Sequence, residues 1–201
     1  MAVNINIPDA WSSYVTQTNL GLEVVPSLLY DQYFLLAGNT NPAELRFFQS
    51  SATTLDVTNM KTPGSLPNPE AFLIQNIRLN FKTLTGTLPT ISDGILDFMN
   101  KSVGILEIGN KRYGPWPLWV LGAGNMLTNT FGGNTATPTY YSEISGPLYP
   151  LFPNLMLSPL QPFVFTIRTT PPAPTIVTPT TTPNGFPVQV LFDGQLARAI
   201  Q

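Results

Sequence analysis

Histidine and cysteine are both missing from the 201 residues, and charged side chains are few, with nine Lys and Arg against eleven Asp and Glu. Histidine is the side chain whose ordinary pKa lies near neutrality, and the cysteine thiolate is the strongest nucleophile and soft-metal ligand a protein carries. Ser-His-Asp triads, Cys-His dyads, zinc sites built on Cys and His, haem held by His or Cys, and thiol redox centres are therefore excluded. Chemistry by carboxylates, Lys, Tyr or Ser stays open. Without cysteine there is no disulfide framework, and the redox compartment is left undecided. Long apolar runs are also lacking, since no stretch reaches the roughly 18 residues of a membrane-spanning helix. Met1 to Pro8 carries no basic segment leading into an apolar one, so a cleaved signal peptide is not expected. Net charge is −2, and Lys111-Arg112 is the one place where basic residues adjoin. No stripe of positive charge awaits nucleic-acid phosphates, and specific nucleic-acid binding is not expected.

What the chain has instead is Thr, Asn, Ser and Gln in the place of charge. Only 10% of its residues are charged, against about 25% in an average soluble protein. A weakly charged surface loses little when covered by a neighbour, whereas a Lys- or Glu-rich one must be desolvated at high cost. This favours a protein that lives packed in an assembly. The length suits a single domain, 1–201.

With 21 Pro and 15 Gly, turn signals arrive every few residues, and long helices have little room. Between these signals lie short β-branched and aromatic runs: Glu44 to Gln49, Thr54 to Thr58, Ala71 to Lys82, Gly104 to Ile108, Leu118 to Leu121, Phe163 to Thr169, Pro187 to Asp193 and Leu196 to Ile200. Seven or eight short strands predict an all-β fold of two facing antiparallel sheets, a sandwich or single jelly roll. In the 71–82 run, Leu73, Ile77, Leu79 and Phe81 share the better core face. The Phe163-Phe165-Ile167 and Val188-Val190-Phe192 alternations look like partner strands of one core. A helix is expected from Ser92 to about Val103, with Ser92 as N-cap and Gly104 as its stop. Residues 169–187 are rich in Thr and Pro and predict a long loop at a sheet tip. Gly122 to Gly146 predicts a second loop.

Few motifs carry chemistry. Asp93 and Asp97 fall one helical turn apart, but on the face opposite the apolar stripe, which predicts a solvated surface. Glu107 lies in a strand and would be held by Lys111 or Arg112. Gly122-Ala123-Gly124 lacks the third glycine and the Lys of a phosphate loop. No calcium-type loop occurs, and no metal or cofactor is expected. Tyr113, Trp116 and Trp119, set among Pro115 and Pro117, could stack on a sugar, although such rings more often pack at a sheet edge or subunit contact. Tyr140, Tyr141 and Tyr149 carry the same two readings.

Five segments, taken in order, resemble the jelly-roll major capsid proteins of tailless icosahedral bacterial viruses: FLIQNIRLNF from Phe72, then SDGILDFMNKSV, LEIGNKRYGPWPLWVLGAGNM, PFVFTIR, and VQVLFDGQLARAIQ. The resemblance covers about the last two thirds of the chain and lies in segment order and character. It implies eight strands in two four-stranded sheets, with tip loops at contacts between capsomers. It implies a non-enzymatic capsid subunit, located in the virion after assembly in the host cytoplasm. Its partners would be copies of itself and other capsid proteins, with an internal membrane or the host surface as indirect ones. Residues 1–25, with Trp11 and Tyr14, would form an arm across a neighbour that orders only on assembly. Trp11, Tyr14, Tyr113, Trp116, Trp119, Tyr140 and Tyr141 are the candidate contact or surface residues. Rival readings are a minor capsid or spike protein, a carbohydrate-binding β-sandwich using Tyr113, Trp116 and Trp119, and a hydrolase built on Glu107 with Asp93 or Asp97.

Overall fold

The computed structural model describes residues 11, 22–36, 42–50, 55–81, 98–121, 126–128, 141–143, 150–169 and 185–199. Among the described residues the strands and helix α1 follow in the order β1 (Leu22–Leu36), β2 (Glu44–Phe47), β3 (Ala71–Phe81), β4 (Ser102–Ile108), β5 (Lys111–Pro117), α1 (Leu118–Leu121), β6 (Met126–Thr128), β7 (Tyr141–Glu143), β8 (Pro150–Leu157), β9 (Phe163–Thr169) and β10 (Gly185–Ala199). The first sheet has the order β1-β10-β3-β8 and the second β2-β9-β4-β5, while β6 and β7 form a separate two-stranded hairpin. Every pair within the two large sheets is antiparallel. Leaving the small hairpin aside, the pairs β1·β10, β2·β9, β3·β8 and β4·β5 nest one inside another, as in a long hairpin rolled upon itself. The fold is an all-β sandwich, and this order is compatible with a single jelly roll.

The core lies between the sheets and is rich in phenylalanine. Phe165 of β9 meets Phe192 of β10 edge-on, with ring centroids 6.0 Å apart, and Phe48 lies 4.5 Å from Phe192. The runs at 163–167 and 188–192 thus share one core, as expected, but they face each other from opposite sheets and do not pair. Gly104 of β4 lies beneath the same cluster, where a Cβ would stand 2.6 Å from the Phe165 ring and 2.9 Å from Leu121. It belongs to a strand and does not stop a helix. Helix is found at residues 98–101 and ends there, because Ser102 and Val103 are taken up as partners of Thr169 and Arg168 in β9. Residues 92–97, including Asp93 and Asp97, lie outside the described residues.

Strand β3 departs from the expected single core face. Its pairing with β10 runs Asn76↔Asp193 and then Ile74↔Gly194, which leaves Gln75 as an extra residue. Such a bulge reverses the in-out alternation. Phe72 and Ile74 before it, and Ile77 and Leu79 after it, all face the main core, while Leu73 turns to a separate small cluster on the outer face. Gly194 is what allows the close approach, since a Cβ there would lie 1.9 Å from the Leu73 carbonyl oxygen.

Several other elements differ from the expectation, each for a local reason. β1 was not expected, and Leu22 to Val25 belong to it and not to an arm. Its outer residues Leu28, Tyr30 and Phe34 are only partly exposed, so both faces are apolar and the period of two is lost. β5 and β8 contain prolines that mask a strand pattern, and both are edge strands, where proline is tolerated. Residues 55–57 form a turn in place of a strand. Leu118 to Leu121 is helical, with Leu118 and Leu121 buried three apart on one side. β6 and β7 lie within the span expected to be loop. β10 is one continuous strand across the break expected at Gly194. Of the Thr/Pro segment, Thr169 ends β9 and residues 185–187 open β10, while 170–184 lie outside the described residues.

Candidate functional site

Among the described residues, no cluster of three or more Asp, Glu, His or Cys is placed to hold a metal ion. Glu107 pairs, among the described residues, with a base and not with a second carboxylate; its Oε1 lies 4.0 Å from Arg112 Nε, directly across the β4–β5 pair, and both side chains are about half exposed. Three further ion pairs among the described residues also join neighbouring strands, while Lys61 and Glu70 pair within the segment between β2 and β3. Glu44 and Arg168 are cross-strand partners with Oε1 to Nη2 at 2.6 Å, and Glu23 and Arg198 are partners with Oε1 to Nε at 2.5 Å. Arg78 and Asp193 lie diagonally across β3 and β10, where Nη2 donates to Oδ1 at 2.6 Å and Nε stands 2.6 Å from Oδ2. Charge on the sheet faces is thus largely neutralised by the neighbouring strand.

Among the described residues, one carboxylate is buried. Asp31 of β1 is 3% exposed, and it accepts the backbone N–H groups of Phe48 and Gln32. Burial pushes its carboxyl above the ordinary aspartate range, while hydrogen bonds from Phe48, Gln32 and Thr58 pull the other way. Phe48 follows β2 with φ of 65°, in the left-handed region, so Asp31 fixes a strained turn of the second sheet from a strand of the first.

The middle of the free edge of β1, from Pro26 to Gln32, is blocked by side chains and by a proline. Asn59 Nδ2 donates to the Leu28 carbonyl at 2.7 Å, its Oδ1 accepts the Tyr30 N–H at 2.9 Å, and Thr58 Oγ1 donates to the Tyr30 carbonyl at 3.0 Å. Gln32 N–H is taken by Asp31 at 3.0 Å, and Pro26 has no N–H to offer. A strand added by another chain would find these positions occupied. Asn59 and Asp31 were not singled out by sequence reasoning; Asn59 lies 29 positions from Tyr30 and Asp31 lies 17 from Phe48, and no local pattern marks either.

Tyr113, Trp116 and Trp119 do not form one exposed platform. Tyr113 and Trp116 are partly buried and pack against the main core, while Trp119 on α1 is 57% exposed. Trp11, expected at a contact or surface, is fully covered by its own chain. It rests on Ala71, Leu73 and Ala197 of the first sheet, beside Val24 and Met156, and its Nε1 donates to Gln195 Oε1 at 2.8 Å. Tyr14, Tyr140 and Tyr149 lie outside the described residues, and of Tyr141 only the backbone, in β7, is described.

Comparison with protein-family models, with curated proteins and with solved structures returns no match.

Proposed function

We propose that this chain is a structural subunit that assembles with copies of itself into capsomers and a closed virion shell. The observation that carries the reading is the nested order of eight strands in two facing sheets, in a chain only one tenth charged. A shell subunit needs a rigid core and flanks that can be covered without stranding charge. Cross-strand ion pairing supports this, because a pair already neutralised within the subunit costs less to cover than two isolated charges. With the middle of the β1 edge blocked by Asn59, Thr58 and Asp31, open-ended strand addition at that edge is disfavoured. The mechanism is complementary burial repeated by symmetry, each contact weak and the sum stable.

The carbohydrate-binding alternative draws less support, because two of its three rings are committed to the core. The test is native mass by light scattering across a concentration series, with negative-stain imaging of the same samples. Trimers, pentamers, hexamers or shells are expected; a monomer at every concentration would overturn the proposal.

A further inference from the structure

We propose that the outer face of the second sheet docks a second copy of the chain, face to face, with the two sets of strands crossing near a right angle about a two-fold axis. The inference deepens the assembly reading and rests on it. Leu45 and Phe47 of β2, Phe165 and Ile167 of β9 and Leu106 of β4 point into the core, so the residues between them point away from it. The strand register lays these outward residues in rows. Glu44, Arg168, Val103 and Pro117 form the first, Arg46, Thr166 and Ile105 the second, and Val164, Glu107 and Arg112 the third.

Four strands about 4.8 Å apart and three rows about 6.8 Å apart make a patch roughly 14 Å on a side. Glu44 and Arg112 stand at opposite corners of it. These corners are open, since the side chains of Glu44, Arg168, Glu107 and Arg112 keep 45–53% of their exposure, while Ile105 and Thr166 at the centre are buried. Arg46 is exposed and ion-pairs with no carboxylate among the described residues. Glu107 is held loosely, 4.0 Å from Arg112.

The occupant follows from this arrangement of charge. Because the patch is close to square, a two-fold axis along its other diagonal exchanges the corners of Glu44 and Arg112, so each meets the other across the interface. The same operation sets Arg46 of one copy beside Glu107 of the other, which gives the unpaired base a carboxylate. Sheets pack face to face either nearly aligned or nearly orthogonal. An aligned copy would lay the charges of Arg168 and Glu107 over Val103 and Val164, whereas the orthogonal one opposes base to acid. A partner of a single charge sign would satisfy only part of a face that mixes both. A two-fold contact repeats every pair, so each gain counts twice.

The test uses two full-length variants, Arg46→Glu and Glu107→Arg. Self-association of either alone brings like charges together at both Arg46–Glu107 contacts and should need at least tenfold more protein than the wild type. In a mixed pair one contact is native and the other is reversed in sign but still matched. An equimolar mixture should therefore associate like the wild type, in complexes that native mass spectrometry shows to hold both chains. Should Glu107→Arg not fold, Glu44→Arg mixed with Arg112→Glu tests the corner contact by the same logic. Single variants that associate like the wild type, or a mixture no better than its components, would overturn this docking face while leaving assembly standing. A wild type that stays monomeric at every concentration would overturn both.

Discussion

The Asp31 carboxylate, on a strand of one sheet, holds the backbone N–H of Phe48, just beyond a strand of the other. The two residues are 17 positions apart, and the contact ties the sheets together at a point where Phe48 is left-handed. A buried carboxylate in such a place makes stability depend on pH in a definite direction. Burial is the leading cause of its shift and raises the folded-state pKa above the unfolded one. The stability this group adds is then fully present below about pH 3.9 and is lost as pH rises through the folded-state pKa. Urea midpoints of wild type and Asp31→Asn, measured from pH 4 to pH 7, should show the variant gaining on the wild type as pH rises. The opposite trend would mean that the hydrogen bonds from Phe48, Gln32 and Thr58 outweigh burial.

Gly194 touches the Leu73 carbonyl so closely that a methyl group has no room. The obstructing atom is backbone, which cannot rotate away. Gly194→Ala should destabilise the fold by about 3 kcal/mol, seen as a large fall in thermal midpoint. A midpoint within error of the wild type would disprove the bulge geometry between β3 and β10.

The ion pairs should differ in worth. Arg78 and Asp193 are largely covered, with side-chain exposures of 33% and 22%, and a double-mutant cycle should give a coupling of about 1–2 kcal/mol. Glu23 and Arg198 are more exposed, and their coupling should fall below about 0.5 kcal/mol and fade with salt. Equal couplings in the two cycles would contradict this ranking.

Trp116 and Trp119 lie three residues apart but do different things. Trp116→Ala removes a ring packed on the core and should cost about 2–3 kcal/mol. Trp119→Ala removes an exposed ring and should leave the melting curve of the isolated subunit within about 0.5 kcal/mol of wild type. A stability loss at Trp119 as large as that at Trp116 would show the ring to be packed.

Ile77 and Phe165 are both fully buried in the main core. An aspartate at either place would leave an unpaired charge among apolar groups, so Ile77→Asp and Phe165→Asp should yield no folded soluble protein. Normal yield with a cooperative melt from either variant would refute the core assignment.

The β class, the limits of β9 and most of β3 were legible in the sequence, which also narrowed the partner of Glu107 to Lys111 or Arg112 without choosing between them. These depend on local signals: proline and glycine forbid long helices, alternation in Phe163 to Ile167 marks one buried face, and two basic residues follow Glu107 closely in the chain, whereas the β4–β5 register that selects Arg112 was seen only in the structure. The absence of histidine and cysteine equally needed no coordinates to narrow the chemistry. Only the tertiary structure decided which way β3 faces on each side of Gln75, because the bulge is set by the partner strand and Gly194. It alone showed β1, whose two apolar faces hide the alternation. It alone brought Asp31 to Phe48, Asn59 to the edge of β1 and Trp11 to Gln195, since each of these contacts joins residues whose separation along the chain bears no relation to their separation in space.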